Sequence, residues 1–117
     1  MATVLLIEPH PETARTYAES LERAGLRVET APTSDARSEN LAPDVVVISV
    51  PKVERPLVRI VARGRTVPRI VLSSEPADAD RAAELDCAAV LIRPVMYDDL
   101  VKEVRRSLKA AGAEQPA

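Results

Sequence analysis

The chain lacks residues that several classes of function require. Its 117 residues include no Trp, no Phe and only two Tyr, so recognition of nucleic-acid bases by aromatic stacking has little support. One Cys cannot form a disulfide within the chain, and one Cys with one His leaves a transition-metal site short of ligands. Only three Gly are present, and no glycine-rich loop follows the first apolar run. Disulfide scaffolds, cysteine-based metal clusters and nucleotide sites of the Rossmann or Walker type are therefore set aside.

Charge and hydropathy narrow the expected partners further. Sixteen Lys and Arg against eighteen Asp and Glu give a formal net charge of −2, which offers no overall attraction to nucleic acid or anionic membranes. The apolar run after Met1 is too short for a signal peptide or a membrane span. We expect one domain over residues 1–111 with a short tail at 112–117. We expect it in the cytoplasm, with no direct contact to nucleic acid or membrane.

Periodicity predicts an α/β fold. Short β-branched runs at 3–7, 44–49, 67–73 and 89–92 are typical of strands buried on both faces of a parallel sheet, and 26–30 suits an edge strand. The helical patterns with the clearest ends run from Pro11 to Gly25 and from Tyr97 to Ala110. Weaker patterns predict helices at 56–64 and 76–85, and whether 33–40 forms a stable helix is left open. This order predicts an open parallel sheet with helices on both faces.

Polar residues stand at the ends of the predicted strands. In open α/β sheets ligands bind beyond the carboxyl ends of the strands, and a strand order of 2-1-3-4-5 would bring Glu8, Ser49, Ser73 and Arg93 together. A serine hydrolase could combine Ser49 with His10 and Glu8. However, Ser49 lacks the flanking glycines of a nucleophile elbow, and no second carboxylate is placed to orient His10.

The same segments carry a family resemblance over about residues 3–110. VLLIEPHPE, PDVVVIS, VPRIVLSS and AAVLIRPV, in this order, resemble the receiver domain of bacterial two-component response regulators. The resemblance implies a flavodoxin-like (βα)5 three-layer sandwich whose five-stranded parallel sheet has the order 2-1-3-4-5.

Several site residues depart from the pattern of that family. The resemblance places the acidic pair that holds a divalent metal at Glu8 and Pro9, and the phosphoaccepting aspartate at Ser49. It places the switch residue at Ser73, the aromatic partner of that residue at Val90, and the lysine at Arg93. Pro94 is retained, which implies a cis peptide bond after Arg93. Asp44 is not the phosphoacceptor, because it begins its strand at the opposite edge of the sheet.

These departures affect phosphoryl transfer, in which the metal ion and the phosphoacceptor depend on each other. A receiver transfers a phosphoryl group to a carboxylate while Mg²⁺ neutralises the developing charge. Here Pro9 offers no ligand and Ser49 no carboxylate, so we expect weak or absent Mg²⁺ binding, no cofactor and no catalytic activity. We also expect Arg93 to reach toward Glu8, because a guanidinium can pair with a carboxylate that has no metal.

A local basic cluster is the main surface feature. Arg55, Arg59 and Arg63 are spaced by four, so they would share one face of a helix and could bind an acidic partner, or simply be solvated. The sequence thus favours a stand-alone, phosphorylation-independent pseudo-receiver that binds another signalling protein or forms a homodimer. The alternatives are a single-domain response regulator that still responds to phosphorylation or an anion, and a small serine hydrolase.

Overall fold

A computed structural model of the protein describes residues 1–33, 42–57 and 59–112. Seven strands run in chain order as β1 (Thr3–Ile7), β2 (Arg27–Ala31), β3 (Val45–Ser49), β4 (Val61–Ala62), β5 (Arg65–Thr66), β6 (Arg69–Ser73) and β7 (Ala89–Ile92). The helices are α1 (Pro11–Arg23), a single 3₁₀ turn (Pro76–Asp78) and α2 (Tyr97–Ala110). The segment 34–40, for which the helix prediction was left open, lies outside the described residues, as does the tail from 113 onward.

Five strands form one parallel sheet in the order β2-β1-β3-β6-β7. Counting only these strands along the chain, the order is 2-1-3-4-5, as the resemblance implies. The central strands β3 and β6 are buried along their whole length, which is consistent with the continuous apolar runs Val45–Ile48 and Ile70–Leu72.

The two faces of the sheet are covered differently. Alternate residues of β1 and β3, including Val4 and Val47, pack with the apolar stripes of α1 and α2. On the other face Leu5 and Val46 pack against Ile60 and Val67, from the connection between β3 and β6. In the described part of that connection no α-helix is present.

Both helices with clear sequence ends form where predicted. Pro11 occupies the first turn of α1, where its missing N–H is not needed, and Gly25 follows the helix with a φ of 89°. Tyr17 and Leu21 are buried on the inner face of α1. In α2 the buried positions include Leu100, Val104 and Leu108.

The helix predicted at 56–64 is wrong. The chain forms a hairpin there, in which Val61 and Ala62 pair with Thr66 and Arg65. Its two-residue turn, Arg63-Gly64, has φ values of 53° and 75°, and positive φ at both positions is the mark of a type I′ hairpin turn. Gly64 therefore makes a turn and does not end a helix, and the β-branched side chains before it favour the strand.

The helix predicted at 76–85 is also wrong. After the 3₁₀ turn the chain forms turns, with one α-type hydrogen bond from Leu85 N to Arg81 O of 2.9 Å. The segment offers few apolar side chains for a helix face, and its Asp78 is turned inward to bind polar groups. Asp86 closes the segment with a φ of 55°, as expected for an aspartate in the place of a glycine.

Neither described helix is long and apolar enough to cross a membrane.

Candidate functional site

A crevice of about 310 Å³ lies beyond the carboxyl ends of β1, β3 and β6. Its walls are formed by residues of four connections, namely Glu8, Pro9, His10, Thr13, Ser49, Val50, Pro51, Ser74 and Arg93. Three of the four residues expected to converge, Glu8, Ser49 and Arg93, line this crevice. Ser73 is buried behind it, and its neighbour Ser74 lines the wall in its place.

Arg93 lines the crevice, and its guanidinium group is bound to oxygens of the neighbouring wall. Nη1 donates to Ser49 Oγ, Nη2 donates to the Val50 carbonyl oxygen, and Nε donates to Ser74 Oγ at 2.9 Å. These oxygens belong to the connections after β3 and β6, so one side chain joins both connections to the end of β7. The Ser49 hydroxyl is thus an acceptor for Arg93, and no hydrogen bond to His10 is found among the described residues.

The predicted pairing of Arg93 with Glu8 is wrong. No ion pair joins them, since the guanidinium donors point to Ser49, Val50 and Ser74. Glu8 is only 5% exposed, and its Oε1 accepts a hydrogen bond from the backbone N–H of His10 at 3.2 Å. Its Oε2 is buried and has no hydrogen-bond partner within the described part of the chain. The donors of Arg93 are bound to uncharged acceptors that lie close to it, whereas the Glu8 carboxylate is held by its own backbone turn.

The residues present do not fit the Mg²⁺ ion that the resemblance implies. A hard divalent cation takes several oxygen ligands, and the crevice supplies one carboxylate, Glu8. Pro9 contributes no side-chain ligand, and the positive guanidinium of Arg93 lines the same crevice, where its charge opposes a cation. No cluster of three or more His, Cys, Asp or Glu able to hold a metal occurs in residues 1–33, 42–57 and 59–112.

Ser73 belongs to a separate polar cluster, which we call the Asp78 cluster. It consists of Ser73, Val53, Asp78 and Arg81. Asp78 Oδ2 accepts from the Ser73 hydroxyl at 2.8 Å and from the Val53 backbone N–H at 2.9 Å. Asp78 Oδ1 pairs with Arg81 Nη1 at 2.7 Å. These donors, first the Val53 N–H and then Ser73 and Arg81, lower the pKa of Asp78 below its ordinary value.

The remaining residues of the predicted site have simpler surroundings. Val90 lies half-buried in β7, beside Val71 of β6. The Arg93–Pro94 peptide bond is cis. Asp44 stands at the opposite edge of the sheet, where it accepts from the Thr3 N–H at 2.8 Å.

The predicted basic helical face does not form, because its arginines are not on a helix. Arg59 pairs with Asp86 at 2.6 Å, and Arg63 in the hairpin turn pairs with Asp44 at 3.1 Å. Arg55 is exposed in the connection after β3. The three arginines are therefore surface groups in different local structures, and binding of an acidic partner by them stays a prediction.

The only two aromatic rings of the chain meet beside the crevice. Tyr17 of α1 and Tyr97 of α2 pack edge to face with ring centroids 5.6 Å apart. Burial raises the pKa of Tyr17, although the positive charge of Arg93 acts in the opposite direction. The two rings line an open groove of about 710 Å³ that continues to Ser74 and Arg93. Met96, which precedes Tyr97 in the chain, is 68% exposed.

Sequence reasoning missed Asp78 and Arg81. It placed Ser74 just past its predicted strand, next to Ser73, but did not count it among the residues expected to converge. Asp78 and Arg81 were assigned to a helix, where they would be solvated at i and i+3. The available signal was the poor apolar content of that segment, which gives a helix no buried face.

Comparison with known proteins gives a structural likeness only. No protein-family model matches the sequence, and no curated protein matches it. A response regulator receiver domain from Clostridium thermocellum is 19% identical with a TM-score of 0.74, over 96% of this chain and 98% of that chain. A CheY-like receiver domain from Methanospirillum hungatei JF-1 is 14% identical with a TM-score of 0.74, over 98% and 99% of the two chains. The non-phosphorylated HemR receiver domain from Leptospira biflexa is 20% identical with a TM-score of 0.68, over 100% and 99%.

The chain has the CheY-like receiver fold. This confirms the flavodoxin-like fold class, and the coverage shows that one receiver fold spans the matched chain. At 14 to 20% identity the likeness establishes the fold, so the chemistry of this receiver fold has to be judged from its own residues.

Proposed function

We propose that this receiver fold is a phosphorylation-independent pseudo-receiver, a non-catalytic signalling module of the two-component type that acts in the cytoplasm by binding another protein. The observation that carries the proposal is the position of Arg93. Its guanidinium lies where a receiver needs room for a metal and a phosphoryl group, and it holds Ser49 as a hydrogen-bond acceptor.

The electrostatics of the crevice support this proposal. Phosphoryl transfer to a side chain needs a nucleophile and a cation placed to neutralise the transferred group. Ser49 has a hydroxyl of high pKa and no base hydrogen-bonded to it within the described residues. Glu8 adds a negative charge with one oxygen already bound to the backbone of His10. A phosphoryl group would have to displace Arg93 from Ser49 and Val50 and would then meet a hydroxyl at position 49 in place of a carboxylate.

The same contacts disfavour a serine hydrolase. A catalytic serine donates its proton to a neighbouring base, whereas the hydroxyl of Ser49 has Arg93 as its only side-chain partner among the described residues, and Ser49 is 7% exposed. A reactive fluorophosphonate probe is therefore expected to leave Ser49 unlabelled.

The direct test of the proposal is exposure to a small phosphodonor. The protein is incubated with acetyl phosphate and Mg²⁺, and its intact mass is measured. We expect no phosphoryl adduct. As the matched control, the variant Pro9→Asp/Ser49→Asp/Arg93→Lys restores the acidic pair, the acceptor and the lysine on the same fold, and it should gain an adduct of one phosphoryl group. An adduct on the unaltered protein would overturn the proposal.

Response to an anion is the second possibility, and one observation favours it. Arg93 has no carboxylate partner among the described residues, and only three of its five N–H groups are engaged. The nearby Glu8 charge opposes an anion in the same crevice. Calorimetric titration with inorganic phosphate distinguishes an anion response from an inert crevice. Saturable binding that is lost in Arg93→Met would favour the anion response.

Binding to another protein, or to a second copy of the chain, is the part of the proposal that needs a partner. Sedimentation of the purified protein tests the homodimer. Capture with immobilised wild type and with the restored-site variant tests phosphorylation independence. A partner that binds wild type without a phosphodonor, and binds no better after acetyl phosphate, supports the proposal.

A further inference from the structure

The connection after β3 and the connection after β6 are joined by one buried carboxylate. Asp78 is 2% exposed, and both of its oxygens are engaged. Its Oδ2 lies 2.9 Å from the backbone nitrogen of Val53, which is 25 residues away in the sequence. Its Oδ1 lies 2.7 Å from Nη1 of Arg81. The carboxylate therefore adds a side-chain link between two loops that are also joined by the hydrogen bond from the Ser74 N–H to the Pro51 carbonyl oxygen, 2.9 Å long, and by Arg93.

Arg81 completes the link from the other side of Val53. Its Nη1 donates to the Val53 carbonyl oxygen at 3.2 Å, so both backbone polar groups of Val53 are bound by the Asp78 cluster. Glu84 holds the remaining guanidinium nitrogens of Arg81 at 3.2 and 3.3 Å. The Val53 side chain is buried as well. A loop residue whose side chain, N–H and C=O are all engaged has little freedom to move.

The hydroxyl of Ser73 is oriented by the same carboxylate. Ser73 is fully buried, and its oxygen accepts from the Glu75 N–H at 3.0 Å. Its single proton can go to Asp78 Oδ2 at 2.8 Å or to the Pro51 carbonyl oxygen at 3.4 Å. The shorter bond to a charged acceptor is the stronger one. The hydroxyl therefore points to Asp78 and away from the crevice that Ser74 and Arg93 line.

We infer that Asp78 is a positioning residue that locks Ser73 and the two loops in one arrangement, whether or not anything occupies the crevice. The surface formed by the loops after β3 and β6 is then presented permanently. This inference does not rest on the proposed function, because it concerns how the loops are held and not what the crevice binds.

Hydrogen-bond donors on both carboxylate oxygens keep Asp78 charged near neutral pH, so its contacts with the two loops persist. They lower the pKa of Asp78, so the carboxylate stays charged well below pH 7. The charged groups that face it are Arg81, bound directly, and Glu84, which is bound to Arg81.

The test compares Asp78→Ala with Asp80→Ala by amide hydrogen exchange and NMR. Asp80 is exposed and lies two residues away, which makes it a matched control for removing an aspartate from the same segment. In Asp78→Ala the Val53 amide should exchange about tenfold faster or more, because it loses a charged acceptor. The Ser73 side chain should lose its single χ1 rotamer, as read from its three-bond couplings. Asp80→Ala should match wild type in both measurements.

A second variant shows whether Asp78 acts through Ser73. Ser73→Ala removes only the hydroxyl, and it should perturb the 74–81 amides in wild type, whereas in the Asp78→Ala background it should add only the change at the Glu75 amide, which loses its acceptor. If Asp78→Ala does not fold, Arg81→Met takes its place, with faster Val53 exchange again expected. The inference is overturned if Val53 exchange and the Ser73 couplings stay as in wild type. Acetyl phosphate is absent throughout, so this result is independent of the phosphodonor test.

Discussion

The side chain at position 93 decides what the crevice can hold. A lysine carries one compact ammonium group, whereas the guanidinium of Arg93 donates hydrogen bonds to three oxygen atoms, one at the end of β3 and two in the loops after β3 and β6. The oxygens it reaches are neutral, and Glu8 remains outside ion-pair distance. At this residue the guanidinium engages three oxygen atoms, whereas the lysine that the resemblance implies would place a single ammonium group there.

Removing the Arg93 head group should therefore lower stability. We expect Arg93→Met to reduce the free energy of unfolding by about 1–3 kcal/mol, because it leaves Ser49 and Val50 without their donor. Urea denaturation measures the change. Arg15→Met, on the exposed face of α1, is the control and should stay within about 0.5 kcal/mol of wild type. Equal effects of the two substitutions would contradict the role given to Arg93.

Asp78 should give stability a distinct acid dependence. Its pKa is lowered in the folded protein, so its contribution is fully present above its unfolded pKa of about 3.9 and is lost as pH falls through the folded value. We expect wild type to be more stable than Asp78→Asn at neutral pH, with a difference that shrinks as pH falls below about 4. Denaturation at several pH values measures it. A difference that does not change down to pH 2 would contradict the assignment.

At the scale of elements, the hairpin of β4 and β5 has a sharp test. Arg63 has a φ of 53°, where glycine is more stable than alanine by about 1 kcal/mol, whereas in a helix alanine is more stable by about the same amount. We compare Arg63→Gly with Arg63→Ala, since both lose the ion pair with Asp44. Denaturation should find Arg63→Gly the more stable. The opposite order would support the helix that the sequence suggested.

The elements that the sequence predicted correctly are those whose signals agree with one another. In α1 a first-turn proline, an apolar stripe through Tyr17 and Leu21, and a terminal glycine all indicate the same helix. The segment at 56–64 also begins at a proline and ends at a glycine, and it has apolar residues at 57, 58, 60 and 61, but three of these four are β-branched and Gly64 serves a turn. End signals and a short apolar pattern were not enough to specify a helix.

For the candidate site, position was predictable and contacts were not. The parallel sheet fixes where the strands end, so the meeting of Glu8, Ser49 and Arg93 follows from strand order. The hydrogen-bond partners of Arg93 depend on the positions of loop atoms to within an ångström or two. Residue spacing in the sequence does not predict such positions. Asp78 was missed because its partner Val53 is a backbone group in another loop.

At the scale of the whole molecule, we propose that this receiver fold has a single conformational state. The chain has the receiver fold, while Arg93 lines the crevice and binds its wall, and Asp78 binds groups of the loops beside it. Phosphoryl groups and divalent metals should then leave the structure unchanged. Function would depend on which protein recognises this fixed surface.

The most direct measurement is a ¹H–¹⁵N NMR spectrum recorded before and after adding Mg²⁺ and then acetyl phosphate. The account predicts that the amides of Ser49, Val50 and Ser74, which surround the Arg93 guanidinium, do not shift. The restored-site variant, measured in parallel, should show saturable shifts at the same positions. Saturable shifts at Ser49 and Val50 in the unaltered protein would contradict the account.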